Sequence, residues 1–349
     1  MTLRINGSTS GYAEIDSPAV GGNNTIVLPS GNGSANQLLK NGATAGTLEY
    51  ASVTASGSEL GTVTSINNGP LAGMRNRIIN GGMQIAQRGA ISLSNNSGAY
   101  GQCDRWLAGL YNFATATGTS RQAGLVNSRV AEIQATTTGT NASQLIVFQQ
   151  RIEAANVFDL SGKTITMSAT LYHDAGFAIA PIFNVYKPNA LDNYSATTFV
   201  AGSVLPSLPS LGRARYTFTT TLGATDANNG LLAEIAFPIN APITDKYFQI
   251  SEVQLEPGPI ATQFERRPIG MELSLCQRYY QIGLYFIPAT GFVPVSTYVT
   301  IPRATPNITI IETYTGSGGT ISDLGGRGVV ASTYATADRR VAYSASAEL

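Results

Sequence analysis

Apolar and polar residues alternate with period two along much of the chain, the spacing that sends one face of a strand to a core and the other to water. Residues 164–171 show it most clearly: Ile165, Met167, Ala169 and Leu171 fall on one side, Thr166, Ser168 and Thr170 on the other. Further strands are predicted at 145–148, 179–186, 216–221, 231–237 and 247–250, separated by Gly, Asn and Pro clusters. Helical spacing is weak across residues 74–267, so this span reads as an antiparallel jelly-roll sandwich with its own core.

The pattern changes at 250–280. Val253 and Leu255 share one face of an extended segment and Glu252, Gln254 and Glu256 the other. Pro257-Gly258-Pro259 cannot continue a ladder, because proline has no N–H to donate. Pro268 suits a first helical turn, and Met271, Leu275 and Tyr279 then recur along one stripe of a short helix. The connecting helix is assigned to 268–281, and Arg266 and Arg267 are expected to pair with Glu265 or Glu272. Beyond it, residues 282–349 form a small β-sandwich with strands at 285–287, 298–301, 307–314, 329–334 and 340–344, and a mobile Gly/Ser-rich loop at 315–328.

Residues 1–73 are rich in Gly, Ser, Asn and Thr, with apolar islands at 12–15, 26–28, 38–39, 48–50 and 63–66. So few large side chains cannot offset ordering costs of ~1–2 kcal/mol per residue. Either the segment is disordered, or its strands complete a core with other chains. The spacing of the islands favours the second reading, an extended β-rich segment of an obligate oligomer.

Composition narrows the chemistry. The 349 residues are 43% hydrophobic but only 12% charged, about half the usual ~25%. The formal net charge of zero leaves no electrostatic footprint for nucleic acid or an acidic membrane. No apolar leader opens the sequence, and no window approaches the ~18 apolar residues of a membrane span. Cys103 and Cys276 are expected as buried free thiols, consistent with folding in a reducing cytoplasm.

No catalytic residue, cofactor site or metal site is predicted. The single histidine, His173, reads as a packing or surface residue, and no nucleophile elbow, P-loop or metal-ligand spacing occurs. Glu252 and Glu256 on one strand would stand ~13 Å apart, too far for glycoside cleavage. Trp106 reads as a core anchor with its N–H satisfied. For glycan or receptor contact the candidates are Tyr314 and Tyr334 near Asp338, Arg339 and Arg340, because tyrosine faces and planar donors suit a sugar's C–H faces and hydroxyls.

Several stretches resemble tail-fibre or tail-tip receptor-binding proteins of tailed bacteriophages. Residues 7–12, 24–29 and 31–40 look like the amino-terminal module of such fibres. Arg75-Asn76-Arg77-Ile78-Ile79-Asn80-Gly81-Gly82-Met83-Gln84-Ile85-Ala86-Gln87-Arg88-Gly89, with Asp104-Arg105-Trp106, is similar to the opening of their jelly roll. Gln254-Leu255-Glu256, Phe264-Glu265-Arg266-Arg267 and Cys276-Gln277-Arg278-Tyr279-Tyr280 resemble their junction, and Ala345-Ser346-Ala347-Glu348-Leu349 their carboxy-terminal part. Pro302 departs from the pattern, standing before Arg303-Ala304-Thr305-Pro306 where relatives often carry Met.

The resemblance implies an intertwined homotrimeric virion fibre, synthesised in the host cytoplasm. Its first residues would dock on other tail or baseplate proteins, its jelly roll would be similar to carbohydrate-binding modules, and its distal part would meet a host-surface polysaccharide. On that reading the helix lies near the threefold axis, with Met271, Leu275 and Tyr279 holding the distal module in register. The motifs look architectural and transfer no binding residue. A polysaccharide depolymerase and a purely structural virion connector are the alternatives.

Overall fold

The computed structural model describes residues 3–6, 12–15, 27–31, 34, 37–44, 47–52, 74–125, 128–140, 143–287, 295–315, 318–323, 328–335 and 339–349. Two compact units separate, Met1–Val63 and Thr64–Leu349. In the first, β1 (Leu3–Asn6) pairs with β2 (Tyr12–Ile15) and β3 (Gln37–Asn41) with β4 (Leu48–Ser52). Leu38, Leu39 and Tyr50 of the second hairpin lie exposed, as the shortage of large side chains requires. Within the island at 26–28, Val27 makes an isolated bridge to Thr47, and the island at 63–66 falls outside the described residues.

The second unit opens with a jelly-roll sandwich. Its strands are β5 (Ile91–Ser94), β6 (Ser97–Tyr100), β7 (Leu107–Tyr111), β8 (Thr115–Leu125), β9 (Ser128–Thr138), β10 (Leu145–Ile152), β11 (Thr164–His173), β12 (Ile182–Ala190), β13 (Asn193–Val204), β14 (Arg213–Thr221), β15 (Leu231–Pro238) and β16 (Ile243–Pro257). A four-residue helix, α1 (Ala154–Val157), lies between β10 and β11. One antiparallel sheet runs β13-β12-β15-β10-β7-β6 and the other β14-β11-β16-β9-β8-β5, with the chain crossing repeatedly between them. Phe148, Phe183, Phe237 and Phe248 fill the space between the sheets. Fully burying such a side chain stabilises by about 1.5–3 kcal/mol.

His173 belongs to that core and is wholly buried. Its ring stacks on Phe248 at 6.1 Å and meets Phe237 edge-on at 6.4 Å. Nε2 donates to Leu208 O at 3.0 Å, while Nδ1 accepts from the Ala175 N–H at 3.3 Å, an assignment that makes the ring neutral. Burial lowers its pKa accordingly. Trp106 is buried too, its Nε1–H donating to Asn80 O at 3.1 Å, and Cys103 and Cys276 are buried free thiols.

Val253 and Leu255 share the core face and Glu252, Gln254 and Glu256 the other, as expected, but the alternation is interrupted where this stretch joins the preceding one. Phe248 and Ile250 point into the core, and so do Val253 and Leu255, which a strict period of two forbids. A β-bulge between the Ser168 and Thr170 pairings supplies the extra residue, with Glu252 at φ 49°. Glu252 is thereby turned to Arg266, 2.5 Å away. Glu256 is buried beneath the following loop and accepts from Thr262 N at 2.8 Å and Thr262 Oγ1 at 2.6 Å. Arg267 makes the expected pair with Glu272 at 3.2 Å and also donates to Ile78 O at 2.9 Å. Glu265 instead accepts the backbone N–H groups of Met74 and Asn76.

The helix α2 is shorter than its stripe suggested, Ile269–Gln277. It stops because Tyr279 is drawn into an extended pairing, accepting from Ala347 N at 2.7 Å, and β17 (Tyr280–Ile287) follows at once. Tyr279 is buried, Leu275 half-buried and Met271 45% exposed in the single chain.

The remaining strands are β18 (Val295–Thr297), β19 (Asn307–Thr315), β20 (Gly318–Asp323), β21 (Gly328–Ala335) and β22 (Arg339–Ser346). They form two three-stranded sheets, β17-β22-β19 and β18-β21-β20, around Tyr285, Tyr298, Val329, Val341 and Tyr343. Two expectations are corrected here. Part of the 315–328 loop is strand β20, held by pairing to β21 despite its Gly and Ser content. The strand expected at 298–301 is irregular: Gln281 takes its polar groups, donating to Thr300 O at 2.9 Å and accepting from Val299 N at 3.0 Å.

The fibre-like motifs converge where this module meets the sandwich. Arg105, buried, ion-pairs with Glu348 and stacks 3.5 Å over Tyr279. Arg88 pairs with Glu348 at 2.9 Å and stacks 3.6 Å over Tyr280. Glu153 ties in Arg303 at 2.7 Å and Arg278 at 3.2 Å. Burial opposes the charge on Glu153, but these two arginines outweigh it and hold its carboxyl below the usual range.

Candidate functional site

The outward face of the β13–β6 sheet carries a polar rung that crosses its middle. Register places Asn184 of β12 beside Glu234 of β15, and Glu234 beside Gln149 of β10. Glu234 is only 6% exposed, although it sits on the side of the sheet turned away from the core. Its Oε2 accepts from Gln149 Nε2 at 2.6 Å, and its Oε1 from Asn184 Nδ2 at 2.8 Å and Tyr186 OH at 3.3 Å. All three donors are neutral, and among the described residues no cation lies within ion-pair range. A carboxylate withdrawn from water and held by neutral donors costs stability, so its place on the sheet needs a reason other than folding.

Aromatic rings stand on either side of the rung. Tyr186 packs edge-on against Phe199 at 5.6 Å, and Phe199 is 56% exposed. On the other side, Tyr111 of β7 folds back over glycines: a Cβ at Gly109 would meet its ring at 2.5 Å, and one at Gly98 would strike its hydroxyl. Three strand spacings, ~14 Å, separate β7 from β12. Burial and the Glu234 charge push the Tyr186 hydroxyl up to about 12 and raise that of Tyr111 as well. Both phenols therefore remain protonated donors across ordinary pH.

Such a face can bind a polyhydroxylated ligand. A carboxylate offers about four acceptor positions, and the Gln149 and Asn184 amides present both carbonyl and N–H groups. Tyrosine and phenylalanine faces cover apolar C–H surface beside them. The described partners of Glu234 include no second carboxylate of the kind that acid–base cleavage of a glycosidic bond uses. Among the described residues no group of His, Cys, Asp and Glu is arranged to hold a metal ion.

The candidates named from sequence lie elsewhere. Tyr314 is on β19 and Tyr334 on β21, which belong to different sheets of the small sandwich. Arg339 and Arg340 open β22, where Arg340 is exposed and registers with Thr315 of β19. Asp338 and the side chains of Tyr314, Tyr334 and Arg339 fall outside what the structure describes. Of the junction residues, Tyr279 is buried against Arg105 and Leu275 packs half-buried beside it against the Ile79, Ile85 and Cys276 cluster, while Met271 is exposed. Sequence reading passed over Glu234, although one signal was present: a lone acid within the otherwise apolar run Leu231-Leu232-Ala233-Glu234-Ile235-Ala236-Phe237.

No protein-family model matches the chain, and no curated protein matches it in sequence. Among solved structures it is similar to a CBM4 module at 21% identity and TM-score 0.26, over 40% of this chain and 77% of that one. It is also similar to the CBM22-1 xylan-binding domain of Paenibacillus barcinonensis Xyn10C, at 14% identity and TM-score 0.29, over 49% of this chain and 95% of that one. A third likeness is to the enzymatically active domain of tailspike protein 4 of bacteriophage CBA120, at 12% identity and TM-score 0.29. It spans 52% of this chain and 21% of that one.

Proposed function

We propose that this protein is a non-enzymatic glycan-binding tail fibre, and that the Glu234 face of its jelly roll holds a neutral saccharide. The observation that carries the binding reading is the buried carboxylate with three neutral donors, set between tyrosines on the outward side of a sheet. The tail-fibre reading is supported by the motif resemblance. It assigns the first residues to docking on other tail or baseplate proteins and the distal domains to the host surface. A homotrimer is supported by Ile282, Leu284 and Phe286, which alternate along the edge strand β17 and are 46%, 67% and 41% exposed. An exposed apolar strip of this kind on an edge strand calls for a partner, and other copies of this chain are the occupant proposed. Three weak sites on one fibre would then act together through avidity.

The test is calorimetric titration of the full chain with a panel of neutral pentose and hexose oligosaccharides. Glu234→Gln should weaken binding about ten-fold, as loss of a hydrogen bond to a charged group implies, with no loss of melting temperature. Unchanged affinity in that variant would remove Glu234 from the site. Release of reducing ends from a bound polysaccharide would replace the adhesin with a depolymerase. Sedimentation as a stable monomer would dismiss the trimer.

A further inference from the structure

The opposite face of the sandwich carries a second polar rung of the other sign. Register aligns Arg213 of β14, Tyr172 of β11, Gln249 of β16, Glu132 of β9 and Arg121 of β8 in one row across five strands. Tyr247, two residues before Gln249, stands 5.5 Å from the Arg121 guanidinium, and these six side chains line a cavity of about 360 Å³. That volume lies within the range of small-ligand sites, ~300–1,000 Å³.

The hydrogen bonds converge on Glu132 from both ends of the row. Arg121 Nε donates to Glu132 Oε1 at 2.6 Å, Gln249 Nε2 to Glu132 Oε2 at 2.5 Å, and Arg213 to Gln249 Oε1 at 2.5 Å. Glu132, 3% exposed, is thus satisfied by Arg121 and Gln249, and their charges cancel. Arg213 is left with a neutral amide as its partner. Among the described residues no carboxylate is within ion-pair range of it, and the nearby Asp174 is engaged by the Tyr247 N–H at 2.6 Å. The Arg213 guanidinium lies 4.9 Å over the Tyr172 ring, which fixes the plane of its fork beside an aromatic surface. Partial withdrawal from water lowers its pKa, although the side chain remains exposed and open to a ligand.

We propose that this cleft is a second saccharide site, selective for an acidic sugar whose carboxylate is clasped by Arg213 while its ring lies against Tyr172 and Tyr247. A planar guanidinium matches a carboxylate with two parallel N–H···O bonds, and the flanking tyrosines suit the C–H face of the same residue. Gln249 and Glu132, each held in place by its neighbours, present fixed polar atoms to the hydroxyls. The inference rests on the reading of the protein as a glycan binder but uses none of the groups around Glu234.

The experiment titrates the full-length protein with a galacturonic-acid trisaccharide, a neutral trisaccharide and inorganic sulfate. Arg213→Ala should lower affinity for the acidic trisaccharide about ten-fold or more, Arg213→Lys should retain part of it, and Glu234→Gln should leave it unchanged. As a check on unmodified protein, the acidic trisaccharide should shield Arg213 from phenylglyoxal, read by peptide mass, and the neutral one should not. Full affinity in Arg213→Ala, absence of binding by the unmodified protein, or absence of shielding would each overturn the proposal. Sulfate binding as tight as the trisaccharide would reduce the cleft to a simple anion site. Loss in Glu234→Gln alone would return acidic sugars to the first face and leave that reading standing.

Discussion

The two outward faces of the sandwich use one device with opposite polarity. Each carries a rung of hydrogen-bonded side chains across neighbouring strands, flanked by tyrosines. The Glu234 rung centres on a buried carboxylate served only by neutral donors; the Arg213 rung begins with a cation whose partner is an amide. Glu132 shows what a structural carboxylate on the same scaffold looks like, since Arg121 compensates its charge at 2.6 Å. The contrast teaches that burial alone does not mark a site. The missing counter-charge does.

The largest effect should come from removing what the faces share. Phe248 packs against His173 and Phe237 midway between the sheets, so Phe248→Ala should cost about 3–5 kcal/mol in denaturant melts and abolish both binding activities together. Survival of one activity would mean that its face does not depend on the common core. Gly109→Ala should separate the faces at a smaller cost, about 1–3 kcal/mol, by driving a methyl group into the Tyr111 ring. Neutral-sugar binding should fall while binding at Arg213 persists, and equal loss at both would argue against a local role for Tyr111.

Titration sharpens the comparison further. The Tyr186 pKa is raised by burial and then by Glu234, so the native state keeps a proton that the unfolded chain gives up near pH 10. Stability is therefore complete below pH 10 and declines as pH rises toward about 12, and Tyr186→Phe should flatten pH-dependent melting in that window. His173 acts from the acid side on both faces alike. Its lowered pKa means stability is full above about pH 6.5 and is lost as pH falls through the native value. The smallest effect is electrostatic: raising salt from about 0.15 to 1 M should weaken the acidic trisaccharide at the exposed Arg213 by a few-fold and leave neutral sugars at Glu234 unmoved. A salt-insensitive Arg213 face would contradict the charge assignment.

The sandwich itself was legible because most of its strands bury one face, and period-two alternation follows from that. The same rule held within 252–256 but failed across the bulge that precedes it, which keeps Phe248, Ile250, Val253 and Leu255 on one side. It failed again at β20, a Gly- and Ser-rich strand stabilised by pairing with β21. The motifs at Asp104-Arg105-Trp106, Arg278-Tyr279-Tyr280 and Glu348-Leu349 were visible as separate stretches. Their meeting around Arg105 and Arg88 was not, because chain separations of 243 and 260 residues carry no local signal.

By itself, the sequence determined an all-β chain, a break in pattern near residue 268, two buried thiols and a core tryptophan, since each of these follows from composition or local spacing. Only the tertiary structure decided where binding chemistry gathers. Glu234 is one acid in an apolar strand until β10 and β12 bring Gln149 and Asn184 beside it. Arg213 is one arginine among many until pairing along five strands leaves it facing an amide in place of a carboxylate. Charge compensation is a property of neighbours in space, and sheet register, set by long-range hydrogen bonds, chooses those neighbours.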